Sequence, residues 1–427
     1  MPISLENKML HFYVIARSEF QKIVRGISMV AKEHDEGTSP NHNNKSKSPT
    51  SKKLNVNASI SSSAQQINRG INELGYRLLN NLYNEKKNLM ISPFSVSAAL
   101  AMTLSGASGK TKEEMAMILK VSELTETKIH SGFSSLIKLA DTSEKYLTFK
   151  IANSFWINKN LQFQNDFQNI LKLNYNGIAR QLTTPEAINS WVAENTENTI
   201  DHLVDEIDRD TVLLILNAVY FKGGWSSPFE EVFTNEQDFR VDDTIRVIVP
   251  FMEKSHDFKY QKMEKFTIVQ LPYGDGRFSM EVLLPHEDIS IKNLLQNFLL
   301  GEEKWDSPKQ KTYGTLTLPK FSFASDINLN DVLKTLGMPL AFDEKMADFS
   351  RMTAKPPTVY IQKVKHITFI DVDEEGTEAS SATSVELFRE ASRKEEFIMT
   401  VDRPFLFKIK DEESGALAFL GAISDPS

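Results

Sequence analysis

The stretch DVDEEGTEASSATSVELFREASRKEEF, residues 371–397, decides how this chain is read. It lies between two strand-like segments, HITFI before it and FIMTVDRPFLFKIK after it. Its first half is almost wholly Ser, Thr, Ala and Glu, and its second half mixes charges with a few apolar residues. So long and core-poor a segment inside a compact domain is usually functional or unstructured. Gly376 sits where a strand gives way, as a hinge requires. Beyond it, Thr377, Ala379, Ser381 and Thr383 alternate with Glu378, Ser380, Ala382 and Ser384, which is the period of a strand. The first set is small and uncharged, suited to sliding beneath a neighbouring layer. The second is polar or small, suited to facing water. The pattern fits a segment that is a free loop in one state and a strand in another. A disordered loop with accidental alternation is the competing reading.

Bulk composition narrows the class. The 427 residues are 41% apolar and 25% charged, ordinary for a soluble globular protein. A net charge of −8 argues against a nucleic-acid binder, which carries a basic surface. The absence of cysteine excludes a disulfide framework, thiolate metal sites and a cysteine nucleophile. No apolar run approaches the roughly 20 residues that span a bilayer, so no membrane partner is expected. MLHFYVIA at 9–16 resembles the apolar core of a signal peptide, but it is short, contains His11 and is followed at once by Arg17.

Residues 33–63 are rich in Ser, Asn and Lys and lack apolar periodicity, so an N-terminal extension over 1–61 is expected to be largely disordered. Asn44-Lys45-Ser46 and Asn57-Ala58-Ser59 fit the glycosylation sequon, as chance matches in so Asn- and Ser-rich a tract. From Ile67, apolar residues recur at helical spacing through Ile71, Leu74, Leu78, Leu79 and Leu82. SVSAALAMTLSGA at 95–107 predicts a helix packed on all sides. Further helices are predicted at 111–120, 126–140, 185–200 and 327–336. Strands are predicted at 147–157, 212–222, 266–272, 278–284, 315–323, 358–372, 397–409 and 416–423. Tyr273-Gly274-Asp275-Gly276 marks a hairpin turn between two of them. Helices and strands interleave without a linker, which predicts one mixed α+β domain over 62–427.

No catalytic constellation emerges, and no enzyme is expected. The eight histidines form no local metal motif, and SGASG at 105–109 misses the spacing of a nucleophile elbow. Asp371-Val372-Asp373 reads as a solvated strand end ahead of a cation site, so neither metal nor cofactor is expected.

An ordered series of motifs over 62–427 resembles the serpins, a family of serine protease inhibitors. The series runs ISPFSVSAALAMTLSGASGKTKEEM at 91–115, LILNAVYFKGGWSSPF at 214–229, LPYGDGRFSMEVLLP at 271–285, LPKFSF at 318–323, DEEGTEASSATSV at 373–385 and DRPFLFKIKDEESGALAFLGAISDP at 402–426. The resemblance implies three β-sheets with about nine helices and an exposed reactive loop, here 375–397. It implies suicide inhibition: a protease cleaves the loop, forms an acyl-enzyme, and is trapped when the freed arm inserts as a strand of the central sheet. A non-inhibitory carrier, chaperone or storage protein is the alternative.

Site residues carry over by motif. The hinge is Glu375, Gly376, Thr377, Glu378, Ala379, Ser380, Ser381, Ala382 and Thr383, with Ser380 and Ser381 where the family favours alanine. Ser92, Ser95, Asn217 and His366 match the polar shutter cluster beneath the sheet's opening point. Trp225, with an ion pair between Lys320 and Glu375, matches the breach at the loop's origin. Fourteen residues beyond Gly376 along the usual loop gives Glu390–Ala391 as the reactive bond, ahead of Arg389 and then Arg393. The implied partner is a serine protease, and a monomer is expected. Heparin binding is unsupported, because TETKIHSGFSSLIKL at 125–139 has only Lys128, Lys138 and His130 as cations. The resemblance leans towards an extracellular protein, and the chain start as it stands towards a cytoplasmic one.

Overall fold

The computed structural model describes residues 61–427 apart from 141, 145–146, 201, 209–210, 307, 354–358 and 378–393. The expected extension up to residue 60, and the expected loop from Glu378 to Arg393, lie outside the described residues. Among these residues the α-helices are α1 Ser62–Leu82, α2 Pro93–Gly106, α3 Gly109–Ile118, α4 Glu126–Ala140, α5 Asn165–Tyr175, α6 Pro185–Asn195, α7 Ile291–Leu300 and α8 Asn330–Leu336. The strands are β1 Leu89–Ile91, β2 Thr142–Glu144, β3 Leu147–Ile157, β4 Ile178–Gln181, β5 Leu213–Gly224, β6 Asn235–Arg240, β7 Arg246–Lys262, β8 Phe266–Tyr273, β9 Phe278–Pro285, β10 Gln310–Pro319, β11 Phe321–Asn328, β12 Lys363–Val372, β13 Gly376–Thr377, β14 Phe397–Thr400, β15 Phe405–Asp411 and β16 Leu417–Ile423.

Local chemistry sets several boundaries. Ser61 caps α1 by accepting from the Ala64 N–H, and the buried face runs through Ile67, Ile71, Leu74 and Leu78. Ser92 caps α2 and Pro93 opens it. Every residue of α2 is buried, as its small side chains predict. The hydroxyls of Thr103 and Ser105 donate back to the carbonyls of Ala99 and Met102, so they are not stranded in the interior. Predicted strand 315–323 is two strands. Pro319 has no N–H to continue the ladder, and Lys320 donates its own to the Pro250 carbonyl. Predicted strand 397–409 likewise breaks ahead of Pro404. The helix predicted to 200 stops at Asn195, and Glu197 and Asn198 then take positive φ.

Strands join into two hydrogen-bonded networks among the described residues, where three sheets were expected. The nine-stranded one runs β1-β16-β15-β9-β8-β7-β10-β14, with β6 on β7. The reason for the lower count is β7. Its first residues pair with β6, its middle with β10 and its last with β8, so one long strand fuses what would otherwise be two sheets. The seven-stranded network runs β11-β12-β13-β5-β3-β2, with β4 on β3. Its inner face meets the other sheet through edge-to-face contacts among Phe149, Phe221, Phe278 and Phe419. Its outer face is also covered. There Ile188, Trp191 and Val192 of α6 lie in a second buried cluster with Leu214, Leu216, Ala218 and Ile367.

The central pairing is the functional clue. β12 and β5 are parallel neighbours from Lys363↔Leu214 to Thr368↔Val219. Above that they part, and β13 fills the opening: Thr377 pairs with Val372 on one side and with Gly223 on the other.

Candidate functional site

The opening is entered through a tight turn after β12. The Asp373 carboxylate accepts the N–H groups of Glu375 and Gly376, and the Asp373 N–H donates to the Gly376 carbonyl. Burial raises the pKa of Asp373 even against these two donors. Through one of its oxygens this carboxylate shapes the turn. Gly376 has φ +145°, and a Cβ there would sit 2.6 Å from Gly224 Cα and nearer still to the Gly223 carbonyl oxygen. Only glycine satisfies both constraints.

Thr377 is the first residue inside the opening. It is buried, and its hydroxyl lies 2.9 Å from the Tyr273 hydroxyl. Burial pushes the Tyr273 pKa up, so the phenol keeps its proton. Trp225 closes the top. Its indole stacks on Tyr273 at 4.4 Å between centroids, and Nε1 donates to the Asp373 carbonyl at 3.0 Å. Its backbone N–H donates to the Glu375 carbonyl at 2.8 Å.

The expected ion pair between Lys320 and Glu375 is corrected by one residue. Lys320 Nζ lies 2.6 Å from Glu374, which also accepts from the Thr234 hydroxyl at 2.7 Å. The backbone of the turn decides this: Glu374 points into the protein and is buried, whereas Glu375 is only half-buried and contributes its carbonyl. Burial opposes ionisation of Glu374, but Lys320 and Thr234 outweigh it and its pKa is lowered. The Glu375 pKa is raised, by burial first and then by the carboxylates of Asp373, Glu231 and Glu374.

Lower in the opening, Ser92, Ser95, Asn217 and His366 come together as the motifs implied. The Ser92 N–H donates to His366 Nε2 at 2.9 Å, which makes Nδ1 the protonated nitrogen. Nδ1–H then donates to Asn217 Oδ1, and Asn217 Nδ2 donates to Ser95 Oγ and Asn153 Oδ1. One backbone donor thus sets the direction of the whole chain. Burial pushes the His366 pKa down to about 3, so the imidazole is neutral near pH 7. Asn153, Tyr273, Thr234 and Glu374 belong to this site and were missed from sequence. Asn153 alone left a signal, a polar residue within the apolar strand IANSFWI.

Of the residues expected for the hinge, Glu375, Gly376 and Thr377 are placed at the opening. Glu378 to Thr383, and Arg389, Glu390, Ala391 and Arg393, lie outside the described residues.

Two outcomes are expected. Gly376→Val should cost about 1–3 kcal/mol in backbone strain and expel the turn from the opening. Hydrogen exchange should then quicken at the Trp225 and Glu375 amides, and unchanged exchange would contradict the placement. The second concerns pH. An unfolded histidine titrates near 6.5, so His366 costs no stability above that value. As pH falls from about 6.5 towards 3, the unfolded chain takes up a proton that the folded one refuses, and about 1.4 kcal/mol is lost per pH unit. His366→Gln should flatten the fall in melting temperature over that window; parallel curves would refute the assignment.

Comparison with known proteins bears on the family and the fold. The family model described as serpin (serine protease inhibitor) matches residues 69–426. Human Serpin B9 is 32% identical over 357 residues, covering 80% of this chain and 94% of the relative. Among solved structures, the native state of tengpin, a thermophilic serpin, aligns with TM-score 0.77 at 29% identity, covering 86% of this chain and 95% of that one. Human thyroxine-binding globulin complexed with thyroxine aligns with TM-score 0.77 at 27% identity, covering 85% and 98%. The chain belongs to the serpin family.

Proposed function

We propose that this serpin is a suicide inhibitor of a serine protease, and that the opening between β5 and β12 receives the cleaved loop. The observation that carries the reading is register. The offset that pairs Lys363 with Leu214 and Thr368 with Val219 also sets Val372 and Gly223 on opposite sides of Thr377. A strand continuing from Thr377 therefore needs no slip. It would lay Ala379 between Phe221 and Ile370, Ser381 between Val219 and Thr368, and Thr383 between Asn217 and His366. Thr377 faces the core, so these residues would follow it inward. Small uncharged side chains suit that face. The alternate set, Ser380, Ala382 and Ser384, would enter beneath α6 and not face water, so α6 must shift for full insertion.

The chemistry belongs to the protease. Its serine attacks the carbonyl of Glu390, Ala391 leaves as a new amino terminus, and the acyl ester tethers the enzyme to the arm. Insertion separates β12 from β5 and replaces the His366–Asn217 bond. The gain is two new ladders of backbone bonds along the arm, and it is available only after cleavage frees one end. The likeness to thyroxine-binding globulin supports a second reading, a carrier in which cleavage traps nothing.

A complex that survives boiling in detergent is expected with a protease cutting at Glu390, Arg389 or Arg393. Mass spectrometry of the released C-terminal fragment identifies the bond. Cleaved protein should melt at least about 10 °C higher than intact protein; no gain would favour the carrier. Thr383→Arg should turn the inhibitor into a substrate, because an unpaired buried charge costs several kcal/mol. Stoichiometry of inhibition reads this directly, and an unchanged value would refute the predicted register.

A further inference from the structure

Ten large apolar side chains are exposed among the described residues, and four of them fall within 232–248: Val232, Phe233, Ile245 and Ile248. Val232 and Phe233 occupy a 3-10 turn at 78% and 48% exposure, and Ile248 stands on the outer face of the β6–β7 hairpin at 68%. Across the ladder, Ile248 faces Asp238 and Pro250 faces Glu236. Residues 230–250 contain six carboxylates against Arg240 and Arg246, a net of −4 and half of the whole chain's −8. Asp242 is spent on the hairpin turn, where it accepts from Thr244 and Ile245. Glu236, Asp238 and Asp243 are exposed and form no ion pair among the described residues. β6 is an edge strand, paired only with β7 among the described residues. Exposed apolar groups ringed by like charge, on a sheet edge, mark a recognition surface.

The place of this surface identifies its occupant. The Thr234 hydroxyl donates to Glu374, and the Phe229 N–H donates to the Glu374 carbonyl. The apolar turn is therefore tied to the residues from which the chain departs towards the proposed reactive bond. On the far side of that bond, Glu395 lies 3.4 Å from Ser255 of β7, so both described ends of the loop border the network that carries the hairpin. We propose that Val232, Phe233 and the acidic outer face of the β6–β7 hairpin dock a cationic surface beside the active site of the target serine protease. The proposal rests on the inhibitory reading above and adds to it the charge class of the partner. The carboxylates steer the encounter, the apolar pair holds it, and the loop then supplies the bond to be cut.

The test takes a panel of trypsin, chymotrypsin, neutrophil elastase and a glutamate-specific endopeptidase. Association rates are measured with whichever forms the detergent-stable complex. Two variants are compared with the intact chain, Val232→Ser with Phe233→Ser, and Glu236→Gln with Asp238→Asn and Asp243→Asn. Each should lower the second-order rate about tenfold or more, with melting temperature and stoichiometry unchanged. The charge variant should also lose most of the fall in rate with added salt. Rates that stay within about twofold of wild type in both variants overturn the proposal, which the unchanged stoichiometry separates from a failure of the trap. A second arm measures direct binding of the same proteases with their serine blocked by phenylmethylsulfonyl fluoride. If no covalent complex forms, but cationic proteases bind and the variants abolish binding, the docking surface stands and the inhibitory reading falls. Equal binding by all three proteins, or none by any, overturns the docking surface.

Discussion

The structure depends on a pairing that stops early. β12 and β5 share a parallel ladder from Lys363 to Thr368, and above Thr368 the two backbones separate. Unpaired buried backbone groups are costly, so an opening in the middle of a sheet must be filled or capped. Here the chain fills it with its own next residues. Thr377 takes ladder positions on both sides, and Trp225 and Tyr273 seal the rest with stacked rings. The features around the opening, the Asp373 turn, the glycine at 376 and the Lys320–Glu374 pair, hold that short plug in place.

Beneath the plug the problem is different. The strands are already paired there, and the polar chain from Ser92 through His366 to Asn217 spans them. A buried imidazole with a pKa near 3 is a poor proton acceptor, but as a neutral ring it both accepts and donates. Each of its two bonds leads to a different element, one to the cap of α2 and one to β5. Separating β5 from β12 would therefore sacrifice a hydrogen bond in a dry place.

Much of this was legible in the sequence, and its limits have physical causes. The all-buried α2 was readable because a long run of small side chains leaves no polar face to expose. The hairpin at Tyr273 to Gly276 was readable because two glycines there take positive φ. Helices α5 and α7 were missed although α7 carries a serine cap and ends at Gly301. The long β7 was missed because its exposure changes from one partner strand to the next, so no single period runs through it. Ser92, Ser95, Asn217 and His366 could be grouped by motif but not by spacing, since their contact is made entirely by tertiary folding. The choice between Glu374 and Glu375 turned on which way one peptide faces, and neighbouring identical residues carry no mark of that.

Lys320 joins separate parts of the structure by where it stands. Its backbone N–H is anchored to Pro250 in the nine-stranded network, its side chain grips Glu374, and it is the single residue between β10 and β11. Lys320 thus ties the turn at Glu374 to the nine-stranded network, alongside the Thr234 hydroxyl and the Phe229 amide. A load on that turn would therefore reach both strand networks, because the same residue bridges the end of one and the start of the other.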